Sequence, residues 1–575
     1  MKTILDWLEA AAALTPAKEA VSDPDTTLGY KELQEFAQRA GSFFAEIGEE
    51  VAQQNEGTAA AAPATGVASV DAPVDAPASA EPATTAATPH ACSTRYHRAR
   101  AVAFYLEKSA PALAAVLGAV YAGNFYSFLD LRQPRPRIQE ICETLDPLVI
   151  ICDEKSYEQA HEMIDTSKYR LVQLNDLFEH EISHERLCSI RHLVCDIDPL
   201  YVNFTSGSTG TPKGVVVSQR SVIDFIPVFC KTFGMDADDR FANQAPFDFD
   251  VSVKDIYSCL YLGASLEIIP RDYFSYPTKL MDYLVDRKVT TLVWAVSALS
   301  FVAIMNAFDY KTPQTIKRVL FSGEVMPIKQ LKKWRRYLPH AQYVNLYGPT
   351  EITCNCTYYP ITRDFEKGEV IPIGTPFDNE RVFLLDENNQ QILTPGVEGE
   401  ICVSGTALGI GYLCDEAKTS AAFMQNPLQK AWLEPMYRTG DLGVLDEAGN
   451  FVYTSRKDHQ IKHLGHRIEL GDIESASMGI DGVEQAACTY DAVKHRLHLF
   501  YMGACEKDAL GVELHKLLPQ FMIPNTINKL SQLPLTKNGK IDRQALAATT
   551  LKKAHVPAKT QASSAPSTSS TQGDA

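Results

Sequence analysis

The chain reads as an α/β protein, and three observations lead there. Between residues 140 and 460, β-branched runs such as Leu148-Val-Ile-Ile-Cys152, Leu171-Val-Gln-Leu174, Thr290-Thr-Leu-Val-Trp294 and Val319-Leu-Phe321 alternate with helical patterns over Pro277 to Val289 and Ile328 to Tyr337. That rhythm implies mixed β-sheets with flanking helices. A smaller α/β piece follows from about Asp458 to Leu546, and 575 residues leave room for one large core with one appended domain.

The elements follow in order. Met1-Lys-Thr-Ile-Leu-Asp-Trp-Leu-Glu-Ala10 alternates apolar and acidic residues like an amphipathic helix; a turn falls near Pro24-Asp25, and Leu28 to Ala37 opens a second helix. From Ala52 to Thr94 there is no Lys, Arg, Leu, Ile, Met or aromatic residue. Such a stretch cannot bury enough apolar surface to offset ordering entropy, so 52–94 is expected to be a disordered insertion in a surface loop, at little cost in stability. The expected domains are 1–457, 458–546 and a Ser/Thr/Ala-rich disordered tail, 547–575.

A net charge of −17 argues against nucleic acid or an anionic membrane as the main partner. The 13 cysteines include no Cys-x-x-Cys pair, so neither zinc nor a redox motif is indicated. Cys354 and Cys356 would share one face of a strand and be buried there. The N-terminus lacks a signal pattern, and the most apolar stretch, Pro111 to Gly123, is too short to span a bilayer. A cytoplasmic protein with no membrane insertion is expected. His459, His463 and His466 lack the glutamate of a His-Glu-x-x-His zinc motif.

The most informative string is Tyr201-Val-Asn-Phe-Thr-Ser-Gly-Ser-Thr-Gly-Thr-Pro-Lys-Gly-Val215. Small residues Thr205, Ser206, Gly207, Ser208 and Thr209 lie between two apolar runs, and Lys213 adds a positive charge at the exit. Gly, Ser and Thr can wrap phosphates with N–H groups and hydroxyls. Pro212 and Gly214 exclude a Walker loop. The alternative is a mobile surface loop.

This string resembles the pyrophosphate loop of the adenylate-forming ligases: acyl-CoA synthetases, luciferases and amino-acid adenylation domains. The resemblance continues in the family's order through Asn345-Leu-Tyr-Gly-Pro-Thr-Glu351, Gly399 to Gly405 with Gly411-Tyr412, Tyr437-Arg-Thr-Gly-Asp-Leu442, Arg456 to Lys462 with Gly465-His-Arg-Ile-Glu469, and Pro534-Leu-Thr-Lys-Asn-Gly-Lys-Ile-Asp542. It implies the adenylate-forming ligase fold, with a large N-terminal and a small mobile C-terminal domain. ATP and Mg²⁺ would be the cofactors.

By resemblance, Thr205, Ser206, Gly207, Ser208, Thr209 and Lys213 hold the β/γ-phosphates, and Asn345, Leu346, Tyr347, Gly348, Pro349 and Thr350 border the nucleotide, with Tyr347 offering a ring to adenine. Glu351 would hold Mg²⁺, a hard cation suited to a carboxylate. Asp441, in a turn after Thr-Gly, would accept from the ribose hydroxyls; Tyr453 and Arg456 would reach ribose or phosphate. Asp458 matches the hinge between two half-reactions. Lys540, after the Asn538-Gly539 turn signal, matches the catalytic lysine that bridges substrate carboxylate and α-phosphate.

Phe249-Asp-Val-Ser252 is similar to the motif of members that activate amino acids, whose aspartate pairs with the α-ammonium. An unpaired buried carboxylate is costly, so Asp250 implies an amino group on the substrate. The segments Asp255-Ile-Tyr257 and Phe321 to Pro327 look most like the D-alanine–carrier protein ligases. Two departures stand against that: Ser322 replaces an expected cysteine, and Lys254 occupies a position that often lines the side-chain pocket; Cys354 is a further expected substrate-binding residue. D-alanine is still expected first; the alternative is a free-standing peptide-synthetase-type adenylation domain for another amino acid, acidic if Lys254 pairs with its side chain. The acceptor would be the phosphopantetheine thiol of a carrier protein. No Asp-Ser-Leu sequence of a carrier domain occurs, so a free-standing ligase is expected. A catalytically idle nucleotide-binding scaffold is the remaining alternative, disfavoured because Lys540, Asp441 and Glu351 stand together.

Overall fold

The computed structural model describes residues 1–60, 99–206, 212–457, 460–463, 465–492, 494–535 and 541–553. Lys540, Asp458, Gly207, Ser208 and Thr209 lie outside the described residues.

Three sheets build the large domain. In the first, strands Arg240–Asn243, Thr291–Ala295, Arg318–Ser322 and Gln342–Tyr347 run parallel. In the second, Ala101–Tyr105 runs parallel between Phe125–Phe128 and Val149–Cys152, and Pro199–Thr205 pairs antiparallel with Lys213–Ser218. These strands read as near-continuous apolar runs because helices cover their faces. Ala110–Tyr121 is one such helix, buried at every residue but Pro111 and started by Ser109, whose side chain accepts from the Ala112 N–H. It packs against Tyr30–Ala60 so closely that a Cβ on Gly118 would lie 2.6 Å from that of Ala40. The third sheet is antiparallel and pairs Pro435–Leu445 with Phe451–Arg456.

The small domain begins with the hairpin Gln460–His463/His466–Glu469. Beyond it, Val483–Asp491, Arg496–Gly503 and Thr526–Lys529 form a sheet covered by helices Leu470–Met478 and Lys507–Leu517. The chain thus comprises a large α/β domain and a small C-terminal α/β domain, the arrangement that the resemblance implies. Among the described residues, no helix is long and apolar enough to cross a membrane.

The structure corrects several expectations. The turn at Pro24-Asp25 joins two short strands, Glu19–Ser22 and Thr27–Gly29, which the sequence did not suggest. Helix Tyr30–Ala60 runs into the segment 52–94 expected to be disordered, because the Glu, Gln and Ala residues around Glu49 to Gln54 favour helix even where apolar residues stop. Helix Arg543–Lys553 likewise enters the expected tail, 547–575. Cys354 and Cys356 are buried as expected but precede the strand Thr357–Pro360, and Cys354 has φ +86°.

Replacing residues 62–92 by a short Gly/Ser bridge should move the melting temperature by less than about 2 °C, since that stretch has no Leu, Ile, Met or aromatic residue to form a core. A thermal melt showing a drop of more than about 5 °C would mean that it packs on the domain.

Candidate active site

The sheets deliver their carboxyl ends to one cleft. Ser206 follows Pro199–Thr205, Gly323 follows Arg318–Ser322, and Gly348 follows Gln342–Tyr347; all three line it. Ligands of α/β sheets bind at such strand ends. The small-domain hairpin closes the cleft from the other side with Lys462, Gly465, His466 and Arg467, leaving a cavity of about 130 Å³.

At the phosphate-loop wall, the Thr205 hydroxyl is buried without a hydrogen-bond partner among the described residues, and Ser206 Oγ donates to the Arg467 carbonyl at 2.7 Å. Lys213 opens its strand 3.9 Å from Glu351 and 5.2 Å from the Tyr412 ring centre. Burial lowers its pKa, as does the neighbouring Arg467.

Gly348, Pro349 and Thr350 line the next wall. Only glycine fits at 348, where a Cβ would stand 2.5 Å from the Asn355 Cα. Glu351, in the turn Thr350–Ile352, is fully buried. Its carboxylate accepts from Arg467 Nη1 at 3.1 and 2.9 Å and from the Tyr412 hydroxyl at 2.8 Å. Burial alone would raise its pKa, but Arg467 and Lys213 outweigh it and hold the group down at about 2.

Asp441 lies inside the strand Pro435–Leu445, not in the expected turn, at a bulge between Arg438 and Leu442 where Gly440 has φ +71°. It sits opposite Arg456, whose Nη1 donates to it, and accepts from the Tyr347 hydroxyl at 2.6 Å. Asp441 and Arg456 both line the cavity. Lys213, Glu351, Tyr347, Asn345, Leu346 and Tyr453 do not line it. Asn345 donates to the Pro372 carbonyl at 2.9 Å, and Leu346 is core.

Asp250 precedes helix Val251–Leu262 yet makes no capping bond, which leaves its carboxylate to the cavity. Burial raises its pKa, against a hydrogen bond from Thr350 and the charge of Lys254. Ser322 and Cys354 line the same wall. Lys254 does not reach the cavity. It is fully buried behind Asp250, donating from Nζ to Asn355 Oδ1 at 2.5 Å, and its charge acts on Asp250 and Asp255. Asp255 is itself raised to about 7, chiefly by burial.

The sequence singled out too few residues on the small domain. Lys462 and Arg467, directly paired across the hairpin, both line the cavity. Burial lowers the Lys462 pKa against the attraction of Asp441 and Asp250. His466 edges onto Phe249 and stacks on Phe521 at 3.7 Å; burial and then Arg132 push its pKa down to about 3, so it is neutral. The available signal was two cations on facing strands of an otherwise short hairpin. Gln133, Arg137, Asn203 and Asp248 also line the cavity. The arrangement brings hydroxyls, cations and a buried carboxylate beside an acidic group facing an open space, which suits a polyphosphate and an ammonium-bearing molecule.

The family model "AMP-binding enzyme" matches residues 95–413. Tyrocidine synthase 3 of Brevibacillus parabrevis is 32% identical over 454 residues, 77% of this chain and 7% of the relative. Gramicidin S synthase 2 of Brevibacillus brevis is 31% identical over 77% of this chain and 10% of its own length. The chain therefore spans a small part of these curated relatives. Among solved structures, PA1221, described as an NRPS protein containing adenylation and PCP domains bound to a vinylsulfonamide inhibitor, aligns with TM-score 0.74 at 23% identity over 95% of this chain and 84% of that one. The Vibrio cholerae adenylation domain AlmE, in complex with glycyl-adenosine-5'-phosphate, aligns with TM-score 0.74 at 19% identity over 96% and 98%. These two likenesses establish the fold. With the family model covering more than half its length, this chain belongs to the AMP-binding enzyme family.

Proposed function

We propose that this protein activates an α-amino acid with ATP and passes it to the phosphopantetheine thiol of a carrier protein. The observation that carries the proposal is the convergence of Thr205, Ser206, Thr350, Asp441, Arg456 and Asp250 on one cleft. In the first half-reaction, a carboxylate oxygen bonds to the α-phosphorus. The bond to pyrophosphate breaks, and pyrophosphate leaves with its electron pair. Thr205, Ser206 and Lys213 would grip the leaving phosphates, and Lys462, within electrostatic reach of Asp441 and Asp250, would offset charge near the α-phosphate. Lys540, outside the described residues, is assigned the bridging role by resemblance alone, and Asp458 that of the hinge. Glu351 would hold Mg²⁺, which when bound neutralises phosphate charge. The buried carboxylate and the unpartnered Thr205 hydroxyl suit it, and Arg467 now holds both carboxylate oxygens. In the second half-reaction, the thiol sulfur bonds to the acyl carbon, AMP leaves with the electron pair, and the thiol proton passes to solvent.

The substrate proposed is a small neutral amino acid, D-alanine first. Lys254 is shut away from the cavity and already faces two carboxylates, Asp250 and Asp255, so it needs no acidic substrate. An acidic amino acid is kept as a second reading because Cys354, beside the Lys254 partner Asn355, lines the cavity. ATP–pyrophosphate exchange over D- and L-amino acids tests both. With D-alanine the best substrate, Lys254→Met should leave D-alanine the preferred amino acid, even as the loss of the buried counter-charge to Asp250 and Asp255 lowers exchange with every substrate. With an acidic substrate, the same change should abolish its activation and favour small neutral ones. Exchange with no amino acid at all would refute the activation itself.

A further inference from the structure

The cavity has a second wall that carries none of the nucleotide-facing residues. Gln133 and Arg137, at the start of helix Arg135–Leu145, meet Asp248 and Phe249 there, and the small domain adds His466, Phe521 and Met522. Two polar atoms on this wall are buried without a hydrogen-bond partner among the described residues: Arg137 Nε, a donor, and Gln133 Oε1, an acceptor. Each such group destabilises the fold unless something meets it. Native proteins leave few of them, and two on one cavity wall point to a ligand that supplies both partners.

The rest of the wall narrows the chemistry. Phe249, neutral His466 and Phe521 present flat, uncharged faces, His466 stacked on one ring and edge-on to the other. The charge of Arg137 is already met by Asp472 and, less strongly, by Glu140. Asp248 adds a carboxyl group beside them. An anion would therefore gain little at this wall, whereas an amide suits it: its carbonyl accepts from Arg137 and its N–H donates to Gln133. Access agrees. If the acyl group lies between Asp250 and Thr350 with its nucleotide toward Asp441 and Arg456, this wall stays open to an incoming thiol among the described residues.

Resting on the carrier-transfer reading above, we infer that Gln133 and Arg137 bind an amide of the pantetheine arm and position its thiol for attack. They are positioning residues and touch none of the reacting atoms. The test uses the full chain, the amino acid selected by exchange, and three acceptor thiols: pantetheine, 4'-phosphopantetheine and cysteamine, the last having no amide. Arg137→Met and Gln133→Met should each raise KM for pantetheine about tenfold with kcat little changed, and leave KM for cysteamine within about twofold. A loss confined to 4'-phosphopantetheine would overturn the inference in favour of a phosphate site. So would an equal rise for cysteamine, or a matching fall in pyrophosphate exchange, which involves no thiol and reports a deformed cavity. Unchanged pantetheine kinetics in both variants would sink this inference and leave carrier transfer standing. A wild-type enzyme that exchanges pyrophosphate but acylates none of the three thiols would overturn carrier transfer itself.

Discussion

With Asp250 replaced by Asn, amino-acid binding should weaken about a hundredfold while ATP binding stays within about twofold. The carboxylate faces the cavity with no capping duty, so its charge is available to a substrate ammonium. Removing one partner of a desolvated pair leaves the other buried and uncompensated, at a cost of about 3 kcal/mol. The nucleotide should be spared, because the residues proposed to meet it, Asp441, Arg456 and Thr205, carry none of that charge pairing. Stability should move the opposite way. Burial raises the Asp250 pKa in the folded protein, against Thr350 and Lys254. A carboxyl group raised in this way favours the fold when protonated and loses that contribution as pH rises through the folded value. At neutral pH, the uncharged amide should therefore hold or raise the melting temperature of the ligand-free protein. Exchange kinetics and a thermal melt read the two effects separately, and an equal loss of ATP affinity would refute the pairing with an ammonium.

The fold was largely legible because its strands are buried on both faces. Runs such as Leu148 to Cys152 and Val319 to Phe321 are apolar without alternation, and nothing but a covered sheet accommodates them. The short strands Glu19–Ser22 and Thr27–Gly29 were not legible, since the first is held by long-range pairing with Ser265–Ile268 and the second, three residues long, only extends that sheet at its edge. The helix running to Ala60 was missed for the converse reason: helix propensity persists in Glu, Gln and Ala after the apolar periodicity has ended. Within the site, Asp250, Thr350 and Asp441 were found as sequence motifs and meet at the cavity. Lys254 was found by position but lies behind the wall, because a helix places successive side chains at different depths and sequence carries no depth. Arg137 and Gln133 stand in no motif that marks them. Their part emerges only when the small domain closes over helix Arg135–Leu145 and buries their polar atoms.

Glu351→Gln should damage both the chemistry and the stability of the protein. The native carboxylate is fully buried and is the counter-charge for Arg467, at 2.9 Å, and Lys213, at 3.9 Å. An amide keeps the bond from Tyr412 but leaves two largely buried cations facing each other, which should cost about 3 kcal/mol of stability. Pyrophosphate exchange should fall by about a hundredfold or more, since the amide no longer supplies an anionic ligand where phosphate charge must be neutralised. The acid dependence provides a further check. The carboxyl pKa is held at about 2 in the folded protein, against about 4.3 for an unfolded glutamate. A group depressed on folding contributes stability that is fully present above the unfolded value and is lost as pH falls through the folded one. Between about pH 5 and pH 2, wild-type stability should therefore decline with a component that the glutamine variant lacks. Denaturant unfolding at a series of pH values measures it. Parallel curves for the two proteins would show that Glu351 is not the anion on which Arg467 and Lys213 depend.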